Sequence, residues 1–169
     1  MSDEGTRDEL LAEAVELRER GEVEQARRRL VALAADHPED AEIAYQTAWA
    51  HDALGLEAEA VPFYERGLSG PGLSDADRRG ALLGLGSTFR VLGRFTEAVD
   101  TLRRGVEEFP DDGAFRTFLA MALYNTGHHH DAIRLLLTLL AETSDDPSVR
   151  SYRRAIAHYA QDLDETETV

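Results

Sequence analysis

The chain reads as all-α: a right-handed α-α superhelix of four helix-turn-helix repeats plus a C-terminal capping helix. Three observations predict it. Four times a glycine is followed five residues later by an alanine: Gly21 and Ala26, Gly55 and Ala60, Gly93 and Ala98, Gly127 and Ala132. The glycines stand 34, 38 and 34 residues apart, and a fixed period near 34 belongs to stacked helical hairpins. Apolar residues recur at helical spacing on both sides of each glycine, as in Leu10, Ala14 and Leu17, then Ala26, Leu30 and Leu33.

The expected repeats are about 7–40, 41–78, 79–112 and 113–146, with the capping helix over 147–163. Residues 1–6 are expected to be a disordered acidic N-terminus and 164–169 an acidic tail. In the first repeat, Thr6 and Glu9 form a capping box, and the second helix stops before Pro38. In the second repeat Pro62 sits early in the second helix, which predicts a late or bent start. The breaker segment Ser69-Gly70-Pro71-Gly72 explains the spacing of 38: four extra residues are about one helical turn, so they extend the loop or the next helix without loss of register. Ser74 with Asp77 reads as the cap of the third repeat. Asp146-Pro147 starts the ninth and last helix, whose stripe of Val149, Tyr152, Ile156, Tyr159 and Leu163 is expected to cover the apolar end face of the stack.

Composition narrows the function. With no cysteine there is no disulfide and no thiol chemistry. All 18 basic residues are arginine, so Schiff-base chemistry and a phosphate-loop lysine are excluded. A net charge of −15 disfavours nucleic acid and anionic membranes; it reads either as solubility or as attraction for a basic partner. No apolar run reaches the roughly 18 residues of a membrane span, and the first residues lack a secretory pattern, so a cytoplasmic location is expected. No phosphate loop, His-Glu-x-x-His or nucleophile elbow is present, so no enzyme and no cofactor is expected.

The small residues Ala14, Ala48, Gly86 and Ala120, the four glycines and their alanines, and Pro38 and Pro110 together resemble the tetratricopeptide repeat family. From about Ala44 to Leu163 the wording, including Ala50-His51-Asp52-Ala53-Leu54-Gly55 and Leu85-Gly86-Ser87-Thr88, is similar to the bacterial tetratricopeptide repeat group 5 domain. That resemblance implies a bacterial, non-enzymatic scaffold. Its first helices would line a concave groove for a peptide or helix, the alternative being a structural homodimer.

The groove residues that the resemblance implies are Tyr45, Gln46, Trp49 and Asp52, then Ser87 and Arg90, then Phe118, Met121, Tyr124 and Asn125. Tyr45 and Trp49 lie one turn apart, so both face the groove; Trp49 is either covered by neighbouring helices or serves as an aromatic anchor. Arg18, Asp52 and Arg90 occupy equivalent positions, which predicts an Arg–Asp–Arg ladder, unless Arg90 is left to grip a partner carboxylate. The Lys and Asn of the family's carboxylate clamp are replaced by Tyr45, Trp49, Leu83 and Ser87. His51 is expected as a hydrogen-bonded core histidine. The run His128-His129-His130 is expected in a solvated turn and not as a metal site, since consecutive residues do not share a helix face.

Overall fold

The computed structural model describes residues 3–166, with side chains from Thr6 onward, and all regular structure among them is helical. Ten helices follow in order: α1 (Asp3–Glu19), α2 (Val23–Asp36), α3 (Ala41–Asp52), α4 (Glu57–Ser69), α5 (Asp75–Val91), α6 (Phe95–Glu108), α7 (Gly113–Asn125), α8 (His129–Thr143), α9 (Pro147–Ser151) and α10 (Arg153–Tyr159). The chain forms two compact units, Met1–Arg94 and Phe95–Val169. The third expected repeat thus contributes α5 to the first unit and α6 to the second.

The four periodic glycines end α1, α3, α5 and α7 in the left-handed region, at φ +84°, +71°, +74° and +80°. Just past each, an amide reaches a carbonyl five residues back: Glu22 to Leu17 at 2.9 Å, Leu56 to His51 at 3.0 Å, Arg94 to Phe89 at 2.8 Å and His128 to Leu123 at 2.9 Å. This bond closes a Schellman motif, which satisfies the last carbonyls and turns the chain into the next helix. A Cβ on any of the four would meet nothing within 4 Å. Glycine is therefore required there by its backbone angle and not by crowding.

Four helix starts carry a side-chain cap, at α3, α5, α7 and α9. Asp40 accepts from the Ile43 amide, Ser74 from Asp77, Asp112 from Ala114, and Asp146 from Ser148 and Val149. The insertion after Ser69 goes mainly into helix: α5 has 17 residues against 12 in α3 and 13 in α7.

In the first unit the apolar faces of α1, α2 and α3 meet around Leu11, Ala14, Leu30, Leu33 and Ile43. Helices α1 and α3 pack together, as do α3 and α5, while α2 and α4 form no packed pair of comparable extent. Two aromatic rings lie where the facing helix carries only hydrogen. The fully buried Tyr64 packs on Gly84 in the first unit, and the fully buried Phe115 packs on Gly105 in the second.

Four expectations need correction. Helix α1 begins at Asp3, so Thr6 lies inside its first turn and does not cap it; Met1 and Ser2 lie outside the described residues. Helix α4 begins at Glu57 and runs through Pro62 instead of starting late. The carbonyl that Pro62 leaves without a donor is that of Ala58, which is exposed and open to water. The stretch 147–163 is not one helix, because it breaks at Tyr152 into α9 and α10. Its stripe does not become a buried seam either. Tyr152 is 68% and Tyr159 57% exposed; only the small Ala160 is buried, where α10 meets α8.

Candidate functional site

In the first unit the expected groove residues lie on α3 and α5. Their roles differ from one another. Trp49 is 38% exposed, and the guanidinium of Arg18 lies over its ring, 3.4 Å from the centroid. Arg18 Nη1 also donates to Gln46 Oε1. Gln46, Trp49 and Arg18 thus form one stacked cluster, with Gln46 buried beneath it. A cation over an indole contributes about 0.5–2 kcal/mol, more as water is excluded. Burial pulls the Arg18 guanidinium below its ordinary value, partly offset by the nearby Tyr45 and Glu19.

The Arg–Asp–Arg ladder is not formed. Asp52 turns away from Arg18 toward α4 and α5. There it accepts from Tyr64 Oη at 2.9 Å and from Thr88 Oγ1 at 2.8 Å. Burial pushes its carboxyl above the usual range, and the two hydroxyl donors pull it part of the way back. Burial and the Asp52 charge together push the Tyr64 hydroxyl far up. One half-buried carboxylate thus ties α3, α4 and α5 together without a cation. Arg90 has a buried Nε with no hydrogen-bond partner, and no ion pair of Arg90 is found among the described residues. Tyr45 is half-buried: its ring lies 6.5 Å from that of Tyr64, and its hydroxyl abuts Gly80. Burial raises its hydroxyl pKa as well. Ser87 is half-buried on α5.

In the second unit, α7 carries Phe118 half-buried, Met121 39% exposed, Tyr124 64% exposed and Asn125 exposed. Tyr124 packs against His129, with centroids 4.8 Å apart.

His51 lies in the core as expected, whereas the run His128-His129-His130 is not confined to a turn, because α8 begins at His129. His51 is buried, with Nδ1 2.8 Å from the Thr47 carbonyl and its ring stacked on Phe63 at 5.2 Å. A carbonyl only accepts, so Nδ1 carries the proton. His128 precedes α8, while His129 and His130 form its first turn. Their side chains diverge to Thr126, Tyr124 and Asp164 respectively. Among the described residues no group of three or more His, Cys, Asp or Glu could hold a metal ion.

Sequence reasoning missed Arg7. Its Nε donates to Asp40 Oδ2 at 2.9 Å, and its Nη2 to Asp40 Oδ1 and Glu42 Oε2 at 2.8 Å each. The fork joins α1 to the cap of α3. Burial would raise the Asp40 carboxyl, but Arg7 and the Ile43 amide hold it below its ordinary value. Also missed was Thr88 as the partner of Asp52. The signal for it was available, because the two residues stand near the ends of successive first helices.

Comparison with known proteins bears on the fold. A profile of the family described as Tetratrico peptide repeat matches residues 41–163. Among curated proteins nothing matches. Among solved structures, MamA AMB-1 superposes with a TM-score of 0.71 at 20% identity, over 85% of this chain and 78% of that one. The MamA RS-1 ArsTM double mutant gives 0.69 at 18%, over 97% and 99%. A tetratricopeptide repeat protein from Parabacteroides merdae ATCC 43184 gives 0.71 at 17%, over 92% of this chain and 59% of that one. With hairpins hinged in phase at four glycines and a family profile spanning most of its length, the chain belongs to the tetratricopeptide repeat family, whose fold is a general scaffold for protein–protein contact.

Proposed function

We propose that this protein is a non-enzymatic interaction scaffold that binds a peptide or helical segment of a partner protein. The segment lies on the α1–α3–α5 layer, against Trp49. The observation that carries this reading is the stack of Arg18 on a 38% exposed Trp49, the only tryptophan in the chain. One indole face is held by Arg18, so the ring is pre-oriented and loses little side-chain entropy on binding. Large aromatic and arginine side chains are the residues that dominate interfaces. Arg90 adds a cation with an unsatisfied donor on the same layer. The net charge of −15 favours a partner that is basic overall. In the second unit Phe118, Met121, Tyr124 and Asn125 offer a further contact surface on α7. A cytoplasmic, bacterial setting and the absence of nucleic-acid or membrane partners belong to the same reading. Among the described residues no helix is long and apolar enough to cross a membrane.

The test uses a displayed peptide library enriched on the wild-type protein. Enriched peptides are expected to shift the emission of Trp49 and to bind Trp49→Ala at least roughly tenfold more weakly. Equal binding to both proteins, with emission unchanged, would refute the assignment.

A second reading, self-association, is favoured by the apolar side chains left open in the second unit. Ile133 is 46% exposed, and Leu136 and Leu140 are each 42% exposed.

A further inference from the structure

The segment 147–161 contains Arg150, Arg153 and Arg154 and no acidic residue, in a chain of net charge −15. The rest of the chain therefore carries −18 (−15 − 3). Among the described residues these three arginines form no ion pair. Acidic residues flank the segment on both sides, but none pairs with these arginines: Asp146 accepts from the Ser148 and Val149 amides, Asp162 accepts from the Asp164 amide, Asp164 meets His130 at 3.2 Å and Glu165 meets His158 at 3.3 Å. The same element presents Tyr152 and Tyr159 to solvent, 68% and 57% exposed. It packs on α8, whose Ile133, Leu136 and Leu140 form an exposed stripe at helical spacing. This is a basic face with aromatic and aliphatic side chains open to water, where a capping helix would be expected to close the stack.

The first hairpin is its complement. Helix α1 exposes Glu9, Glu13 and Glu16 on one stripe, next to Leu10, which is 44% exposed. Between α1 and α2 lies a cavity of about 230 Å³ lined by Leu10, Arg29, Ala32, Leu33 and Asp36. Arg29, the one basic residue of that lining, is held by Glu13 at 2.6 Å. The cavity is thus a largely apolar slot in which Asp36 can accept from a phenol or a guanidinium.

We propose that a second copy of this chain is the partner of the basic C-terminal face. Its first hairpin receives Tyr152 or Tyr159 in the α1–α2 slot, while Arg150, Arg153 and Arg154 meet the Glu9–Glu13–Glu16 stripe. The proposal rests on the self-association reading and specifies its surfaces. The two surfaces differ, so the contact is heterologous and joins copies head to tail. Pairing two basic faces would set arginine against arginine, which disfavours the isologous alternative.

Light scattering and analytical ultracentrifugation across protein concentration test it, with circular dichroism as the check on folding. The wild type is expected to grow in mass with concentration and to shrink at high salt. Arg153→Glu with Arg154→Glu, and separately Glu9→Arg with Glu16→Arg, are each expected to weaken association roughly tenfold or more. All four side chains are exposed, so both variants should keep the helical signal. An equimolar mixture of the two variants is expected to recover what each has lost. A wild type that stays monomeric at all concentrations would overturn self-association altogether. Association that persists in both variants, or that stops at a dimer and survives Glu9→Arg with Glu16→Arg, would overturn these surfaces while leaving self-association standing.

Discussion

Adding one methyl group at Gly105 tests whether the helices of the second unit meet as closely as described. The new Cβ would overlap Cε1 and Cδ1 of Phe115 and stand 2.8 Å from Cζ. Carbon atoms pack at about 3.5–4.0 Å, so the ring must retreat by roughly 1 Å. It has little room to do so: Phe115 is fully buried and stacked on Phe109, with centroids 5.9 Å apart. Forced overpacking of this kind costs about 1–3 kcal/mol. Alanine is the better helix former by about 1 kcal/mol, which offsets part of the loss. Gly105→Ala should therefore lower stability by up to about 2 kcal/mol, seen as a drop of up to a few degrees in Tm for a chain of this size. Urea unfolding followed by circular dichroism measures it. In a Phe115→Leu background the smaller side chain leaves space, and the same change should become neutral or stabilising, a coupling of about 1–2 kcal/mol. If Gly105→Ala stabilises both backgrounds equally, the close approach of α6 and α7 is wrong.

Other perturbations separate further causes. Gly127→Ala should cost about 1–2 kcal/mol from its backbone angle alone, and Gly127→Asn clearly less, since nothing crowds the position and asparagine tolerates the left-handed region. Asp52→Ala should cost about 1–3 kcal/mol in urea unfolding by stranding the Tyr64 and Thr88 hydroxyls, whereas Asp52→Asn keeps an acceptor and should stay within about 1 kcal/mol of wild type. The Asp52 pKa lies above its ordinary 3.8 in the fold. The native state therefore holds the extra proton, and this group's contribution falls as pH rises through that window; Asp52→Asn should flatten that limb of the stability–pH curve. Asp40 has the opposite sign. Its contribution is present above its ordinary 3.8 and is lost as pH falls through the depressed value. Arg7→Ala should remove about 1 kcal/mol near neutral pH and erase that acid limb.

The hairpin plan was legible because its signals are local. A left-handed turn admits few residues besides glycine, so Gly21, Gly55, Gly93 and Gly127 mark the hinges without reference to the rest of the chain. Ser74 and Asp146 mark helix starts for a similar reason, since each reaches only two or three residues ahead. What failed depended on choices among competing partners. The ladder through Arg18, Asp52 and Arg90 followed from equivalent positions. Position alone does not show that an indole face attracts Arg18 while two hydroxyls draw Asp52 the other way. The end helix failed similarly. An apolar stripe in 147–163 shows what could be buried, but not that the chain breaks at Tyr152 and leaves both tyrosines in water. Arg7 lay outside any motif, and the partners that tie it to α3, Asp40 and Glu42, are more than thirty residues away.

The hinge bonds have a consequence for how such a chain can change length. Each turn is encoded within about six residues and leans on no distant neighbour. A whole hairpin can therefore be gained or lost by duplication or deletion in the coding sequence without redesigning the corners that remain. The insertion before α5 shows the tolerance in miniature: extra residues were absorbed as helix, and the next corner still formed.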